Sequence, residues 1–327
     1  MSFDDLKLQK VTDIKQWDEF IKNSEDGTIF SSSLYLEACD VNYDLYWITL
    51  NSNVKAGLCL IVSEDRKSII NDDLVIYSGL IFNSTKKTNK ADILNQKFLI
   101  SQYVASELTS IYQNIEITFC PEFNDPRPFQ FYGYGNDDIK KYNCTTKFTS
   151  YVDVSSMIEE KIDLFKTSTF ENIRPPKRRD IKRGISEKYS IEKTNNCDLF
   201  LSFYENNIKG QNIDISEKYL FKIKKLIDAL ISNDKAVVIN ISDNLGNYVY
   251  SVVYCWDKNK AYYLFGSGTN NSPKHWQGVI ANWEGFIYVA KQLKIRVIDL
   301  EGINSPERGK FKLSLGGSIT PYYNITL

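Results

Sequence analysis

Residues 261–323 constrain the rest of the chain, because they set out a strand, a polar loop, an amphipathic helix, a strand and a short helix in unbroken order. The run AYYLF at 261–265 reads as an aromatic-rich strand that stops at Gly266 and Gly268, where a missing Cβ lets another backbone or a ligand come close. A polar loop, 267–277, follows. Val279, Ile280, Trp283, Phe286, Ile287, Ala290 and Leu293 then recur at the spacing of one helical face, which predicts a helix over 278–293. The unpaired N–H groups of its first turn and the positive end of its dipole make the loop PKHWQG, with Lys274, Gln277 and Gly278, a seat for a phosphate. Residues 295–300 are apolar on both faces, as in a central strand, until Asp299 and Glu301 appear on one side at its C-terminal end. In open α/β sheets that end faces the ligand crevice. Ser305 is expected to cap a short helix with Pro306 at its first position, ended by Gly316 and Gly317.

The same order of elements can be traced twice. Upstream, 6–11 reads as a strand, 13–23 and 32–38 as helices with Asp13 capping the first, and 43–50, 54–63 and 73–82 as three strands with a tight turn at 51–53. A helix at 91–112 and a strand at 115–120 close this half. A strand at 149–154 and a helix at 155–166 lead into the second: strand 189–193, helices 198–208 and 216–231, and a meander of 237–241, 248–256 and 261–265 turned by DNLGN and DKNK. No repeat is visible residue by residue, yet the duplicated order predicts two similar domains. At 327 residues the chain is long for one core and comfortable for two.

A formal net charge of -1 means the molecule as a whole is no electrostatic funnel for a polyanion, which must be met locally. The local candidate is PPKRRDIKRG, where Pro175 and Pro176 can open a helix whose early turns carry Lys177, Arg178, Arg179, Lys182 and Arg183. Cations there oppose the helix dipole, a misfit that hints at anion binding; the plainer reading is a solvated basic face partnered by Asp180 and Glu187. The six cysteines, Cys39, Cys59, Cys120, Cys144, Cys197 and Cys255, form no CxxC pair and read as reduced, packed thiols with no zinc site. The charged start MSFDDLKLQK is no secretory signal, and no run approaches the about 20 apolar residues of a membrane span, so a cytoplasmic protein is expected.

The run SP...WEGFI, then IDLEG, FKLSLGG and PYY, is similar to the C-terminal signature of the Fem-type (FemABX-like) branch of the GNAT acyltransferase superfamily. FSSSLYL at 30–36, FNDPRPFQFYGY at 123–134, TSYVDVSS at 149–156 and RRDIKRG at 178–184 resemble that family in the same order, across nearly the whole chain. The resemblance implies an α/β (α+β) fold of two tandem GNAT-like domains, each a mixed, mostly antiparallel sheet flanked by helices. It divides the chain into 1–148, which the last strand 318–327 can join, and 149–317, the domain expected to carry the acyl-donor site.

Among Fem-type proteins the chain most resembles small two-domain N-acyltransferases, in which an amine attacks an acyl thioester directly in a ternary complex. That chemistry needs no covalent enzyme intermediate and fits the lack of a Ser-His-Asp or Cys-His signature. The implied donor is acyl-CoA as co-substrate, with no metal, and the implied acceptor a dTDP- or UDP-linked amino sugar for O-antigen, lipopolysaccharide or capsule. The chain is expected to act as a monomer or weak dimer. Phe265, Gly266 and Ser267 would offer a backbone N–H to the oxyanion, and Lys274, Gln277 and Gly278 would hold the diphosphate. His275, the only histidine, is the first candidate base, and Asp299 and Glu301 are the next; a surface histidine, and carboxylates that cap the Ser305 turn or pair with Lys310 or Lys312, are the plain alternatives. Arg178, Arg179, Lys182, Tyr35 and Lys312 are assigned to the acceptor. The family's diphosphate loop reads Arg or Gln, two residues, Gly, one residue, Gly or Ala, and here HWQGVI at 275–280 keeps only Gly278. Two other readings stay open: a Fem-type peptidyltransferase that takes an amino acid from tRNA to a peptidoglycan precursor, and a non-catalytic module that binds a nucleotide sugar.

Overall fold

The structure, a computed structural model, describes residues 3–84, 88–210, 216–270 and 273–327. They fall into two units, one of Met1–Lys147 with Pro321–Leu327 and one of Phe148–Thr320. Unit 1 runs β1 (Leu6–Lys10), α1 (Ile14–Asn23), α2 (Ser33–Ala38), β2 (Tyr43–Leu50), β3 (Asn53–Ile61), β4 (Gly79–Phe82), α3 (Lys90–Ile111), β5 (Glu116–Thr118) and α4 (Arg127–Gln130). Then come β6 (Asn143–Asp153), α5 (Ser168–Asn172), α6 (Pro175–Ser186), β7 (Ser190–Thr194), α7 (Asp198–Gly210), α8 (Glu217–Ser232), β8 (Ala236–Ser242), β9 (Tyr248–Trp256), β10 (Ala261–Gly268), α9 (Gln277–Tyr288), β11 (Val297–Asp299), α10 (Pro306–Leu313) and β12 (Ser318–Thr326). The architecture is α/β with mostly antiparallel strands, in two units of the same plan.

In unit 1, β1 to β4 form an antiparallel sheet in sequence order, and β5 pairs with the end of β12. Local signals account for its edges. The Asp13 carboxylate accepts hydrogen bonds from the N–H groups of Lys15 and Gln16 and so starts α1. Asn51 and Ser52 sit at φ 49° and 64°, the paired left-handed residues that a two-residue hairpin between β2 and β3 requires. The face of α3 that carries Ile100, Val104 and Leu108 is buried in a core with Leu58, Leu60, Leu80 and Phe119.

In unit 2 the strands lie in the order β6-β11-β10-β9-β8-β7, and β10 with β11 is the one parallel pair. Helix α9 packs on β8, β9 and β10 and against α6, while α7 packs on β9 and β10 and α8 on β8. The core on the α9 side is built from Val252, Tyr254, Tyr263, Ile280, Trp283 and Phe286.

Three expectations shift. The helix foreseen at 155–166 does not form: short 3-10 turns, Ser155–Met157 and Leu164–Lys166, flank an irregular stretch. The Asp153 carboxylate accepts from Ser155 N–H, and the carbonyls of Ile158, Glu159 and Glu160 accept from the ammonium groups of Lys294 and Lys291 instead of from N–H groups one turn on. The strand foreseen at 73–82 is reduced to Gly79–Phe82, because the Leu74 carbonyl is taken by the Tyr35 hydroxyl and Gly79 turns the backbone at φ 92°. The helix foreseen at 278–293 begins one residue earlier and passes into a π turn, Val289–Leu293, that ends at Lys294 with φ 57°.

Candidate active site

Strands β10 and β11 are in register at only two pairs, Ala261 with Ile298 and Tyr262 with Asp299. Beyond them β10 continues for six residues with β9 along one edge and no strand along the other among the described residues. A side-by-side pair of parallel strands that separates in this way leaves a backbone edge open to an extended ligand.

The faces of β10 are set by a bulge. Tyr263 stands opposite Tyr254 and Phe265 opposite Val253, so Leu264 is the extra residue. Phe265 therefore turns to α7, where it stacks on Phe200 with ring centroids 5.4 Å apart, and the Ser267 hydroxyl accepts from Asn207 at 2.7 Å. Tyr263 and Gly266 turn to the α9 face. A Cβ on Gly266 would lie 2.0 Å from the Tyr263 hydroxyl oxygen, so the glycine exists to let that hydroxyl lie against the β10 backbone. Burial pushes the Tyr263 hydroxyl well above the usual tyrosine range, with Tyr250, Tyr254 and Asn282 as its neighbours. The Tyr254 hydroxyl donates to Asn282 Oδ1 at 2.8 Å, and Asn282 Nδ2 donates to the Gly278 carbonyl at 2.8 Å, which ties α9 to the sheet.

Where the strands part, β11 ends in a built turn. Asp299 is fully buried and its Oδ1 accepts from the Thr149 hydroxyl and, at 2.7 Å, from Glu301 N–H. That bond holds Glu301 at φ 59°, a left-handed conformation that a non-glycine residue adopts at a cost of about 1–3 kcal/mol. Glu301 is buried, at 7% exposure, and its Oε1 has no hydrogen-bond partner among the described residues. Desolvation raises its carboxyl well above the usual carboxylate range, the Asp299 charge adds to this, and Lys312 opposes it. Lys312, half-buried on α10, donates to the Gly302 carbonyl at 3.2 Å and lies 5.6 Å from the centroid of the Tyr263 ring. Desolvation lowers its ammonium below the usual lysine range against the pull of Glu301. An acid pushed up and a base pushed down by one desolvated setting are poised for proton transfer.

The loop before α9 is engaged elsewhere. The Lys274 ammonium donates to Glu187 Oε2 at 2.6 Å, the Trp276 indole N–H to the same oxygen at 3.2 Å, and Arg183 Nε to Oε1 at 3.0 Å. These donors, Lys274 first, hold the Glu187 carboxyl below its ordinary range. Gln277 is buried and its Oε1 accepts from Lys274 N–H, and a Cβ on Gly278 would lie 3.0 Å from the Tyr250 ring, so this glycine serves the packing of α9. His275 is exposed in the turn, with no side-chain hydrogen bond among the described residues. Positions 271–272 of this expected phosphate loop lie outside the described residues.

Of the basic run, Arg178 lies 6.0 Å from the centroid of the Phe170 ring and Lys182 lies 6.0 and 5.9 Å from Phe165 and Phe170, while Arg179 is exposed. The plainer reading holds for part of it, since Lys177 pairs with Asp180 and Arg183 with Glu187. Tyr35 belongs to unit 1, wholly buried, with its ring edge-on to Phe30 and its hydroxyl donating to the Leu74 carbonyl at 2.8 Å. Packing thus occupies both ends of the side chain assigned to the acceptor. Ser305 stands at the N-cap of α10 without a side-chain bond, and Lys310 faces Glu307. The structure thus gathers Asp299, Glu301 and Lys312 at one point and adds Tyr263, which sequence reading passed over as one aromatic in an aromatic strand.

Solved structures resemble the chain over its whole length. FemX matches with a TM-score of 0.64 and 11% identity over 97% of this chain and 96% of that one. The fold is that of FemX and of tandem GNAT proteins. A tandem GNAT protein from the clavulanic acid biosynthesis pathway matches with a TM-score of 0.57 and 9% identity, covering 98% and 97% of the two chains. The structure of L-PGS from Bacillus licheniformis matches with 0.53 and 10%, covering 97% and 92%. No family model and no curated protein sequence matches the chain. No helix among the described residues is long and apolar enough to cross a membrane, and the six cysteines are free thiols.

Proposed function

We propose that unit 2 is an N-acyltransferase that moves an acyl group from a coenzyme A thioester to the primary amine of a dTDP- or UDP-linked amino sugar, of the kind built into O-antigen or capsule. The reading is carried by the buried, unpartnered Glu301 Oε1 beside Lys312 at the point where β10 and β11 part. The pantetheine arm, with its two amides, suits the open edge of β10 as an added strand would. The amine nitrogen attacks the thioester carbonyl carbon, its proton passes to Glu301 Oε1, the C–S bond breaks, and the thiolate takes up a proton. A backbone N–H within 265–267 would hold the oxyanion, a contribution of about 2.7–4 kcal/mol in comparable sites. Lys312 balances the charge on Glu301 once that group is ionised. Arg178, Arg179 and Lys182 on α6 are assigned to the acceptor's diphosphate. His275 remains the alternative base, and His275→Asn beside Glu301→Gln separates the two.

A second reading, aminoacyl transfer from tRNA in the Fem manner, draws on one observation: Lys274 is already held by Glu187 and Gly278 is spent on Tyr250, which leaves little for a coenzyme A diphosphate. A thiol-release assay with a panel of acyl-CoAs and amino-sugar nucleotides tests both. Thiol release that requires both substrates supports the first. No release with any pair, together with transfer from an aminoacyl-tRNA, would replace it with the second.

A further inference from the structure

We propose that Asn207, on α7, is a specificity residue for the acyl donor: its side-chain amide holds a backbone carbonyl of β10 that the further amide of a pantetheine arm would need, and so limits how the arm pairs with the strand. The inference rests on the donor assigned to unit 2 above and adds a residue to that site.

The register fixes which groups β10 turns outward. Thr269 N–H donates to the Val249 carbonyl at 3.0 Å, so that pair is bonded to β9. Bonded and non-bonded pairs alternate along an antiparallel ladder, and the bonded pairs before it are Ser267 with Ser251 and Phe265 with Val253. Gly266 and Gly268 fall between them and turn their N–H and C=O groups to the other edge, along which no strand lies among the described residues. Both glycines are half-buried, so a ligand can reach that edge. The two outward carbonyls are not equivalent. Asn207 Nδ2 donates to the Gly268 carbonyl at 2.7 Å and to the Ser267 hydroxyl at 2.7 Å. A carbonyl only accepts, which fixes the NH2 end of the amide toward the strand, with both of its hydrogens committed there. The side chain does for Gly268 what a neighbouring strand would do, and it covers part of an edge otherwise open to pairing. A pantetheine arm carries two amides in series. With its thioester where β10 and β11 part, the nearer amide meets Gly266, and the N–H of the further one finds the Gly268 carbonyl already paired. It pairs there only by displacing Asn207 from both of its partners, so Asn207 loosens the hold of β10 on the arm and on nothing else of the donor.

The test is a calorimetric titration of the full chain with coenzyme A and, separately, with ADP, a nucleotide diphosphate without the arm. Asn207→Ala frees the Gly268 carbonyl and should bind coenzyme A about fivefold more tightly than the wild-type chain, as one net hydrogen bond provides, with ADP binding unchanged. The same variant loses two side-chain bonds and should unfold at a lower urea concentration. Tighter binding together with lower stability is a combination that misfolding cannot produce. Weaker or unchanged binding of coenzyme A by Asn207→Ala, or an equal gain for ADP, would overturn the inference and leave the donor assignment standing. No binding of coenzyme A by either chain would remove the donor assignment and this inference with it.

Discussion

Asp26→Asn should stabilise the protein at neutral pH and do so only there. Asp26 is 4% exposed, its two carboxylate oxygens lie 3.2 and 3.0 Å from the Phe82 nitrogen, and its carboxyl is raised from 3.8 to about 6, chiefly by desolvation. A group raised in the folded state contributes its full stability below the unfolded value and loses it as pH climbs through the folded value. Between pH 3.8 and about 6 the native carboxylic acid must therefore give up a proton that the unfolded chain has already lost. At 1.36 kcal/mol per pH unit, the wild-type chain forfeits about 3 kcal/mol across that interval, and an uncharged asparagine forfeits nothing. Asparagine keeps an oxygen to accept from Phe82 N–H, so the comparison isolates ionisation. The assay is urea denaturation of both chains at pH 3.5, 5 and 8. The stability difference should move by about 3 kcal/mol in favour of Asn between the lowest and highest pH. A difference that stays flat, or one that moves in favour of Asp because Lys97 outweighs burial, would refute the reasoning.

Glu301→Gln should reduce turnover by at least about 100-fold and remove the rising limb of a pH–rate profile that begins above the usual carboxylate range, while the falling limb, set by the lowered Lys312, persists but moves to lower pH because the pull of Glu301 is gone; a rising limb that survives would move the base elsewhere. Ser150 is wholly buried and its hydroxyl oxygen has no hydrogen-bond partner among the described residues, so Ser150→Ala should raise stability by about 1 kcal/mol in a denaturation curve, and a loss of that size would reveal a missed partner. Gly285→Ala would put a Cβ 2.3 Å from the Tyr254 ring and should cost about 1–3 kcal/mol with α9 pushed off the sheet; an unchanged melting temperature would mean the helix has slack there.

Much of the fold could be read from residue pattern, because its local signals act over a few residues. The Asp13 cap, the Asn51-Ser52 turn and the apolar face of α9 appear where the sequence placed them. Distant partners were not legible: the lysines that take the carbonyls of 158–160 lie more than 130 positions away, and they undo a helix that periodicity supported. At the candidate site, strand-end carboxylates and Lys312 could be picked out by their place after a buried strand. What separates Asp299, held by Thr149 and the turn, from Glu301, left with an empty oxygen, is burial and angle, which no spacing encodes. Tyr263 was hidden for a different reason, since strict alternation cannot say that one position is skipped.

That skipped position, Leu264, divides β10 into two halves that count odd and even differently. Deleting this one residue would not merely shorten the strand. It would restore plain alternation without re-aiming anything: Phe265 would follow Tyr263 directly, still opposite Val253 and still on the side of Phe200, with Gly266 still against the Tyr263 hydroxyl. The leucine is thus a spacer whose contribution is the local bend of β10, and it could be lost without touching any group that handles a proton.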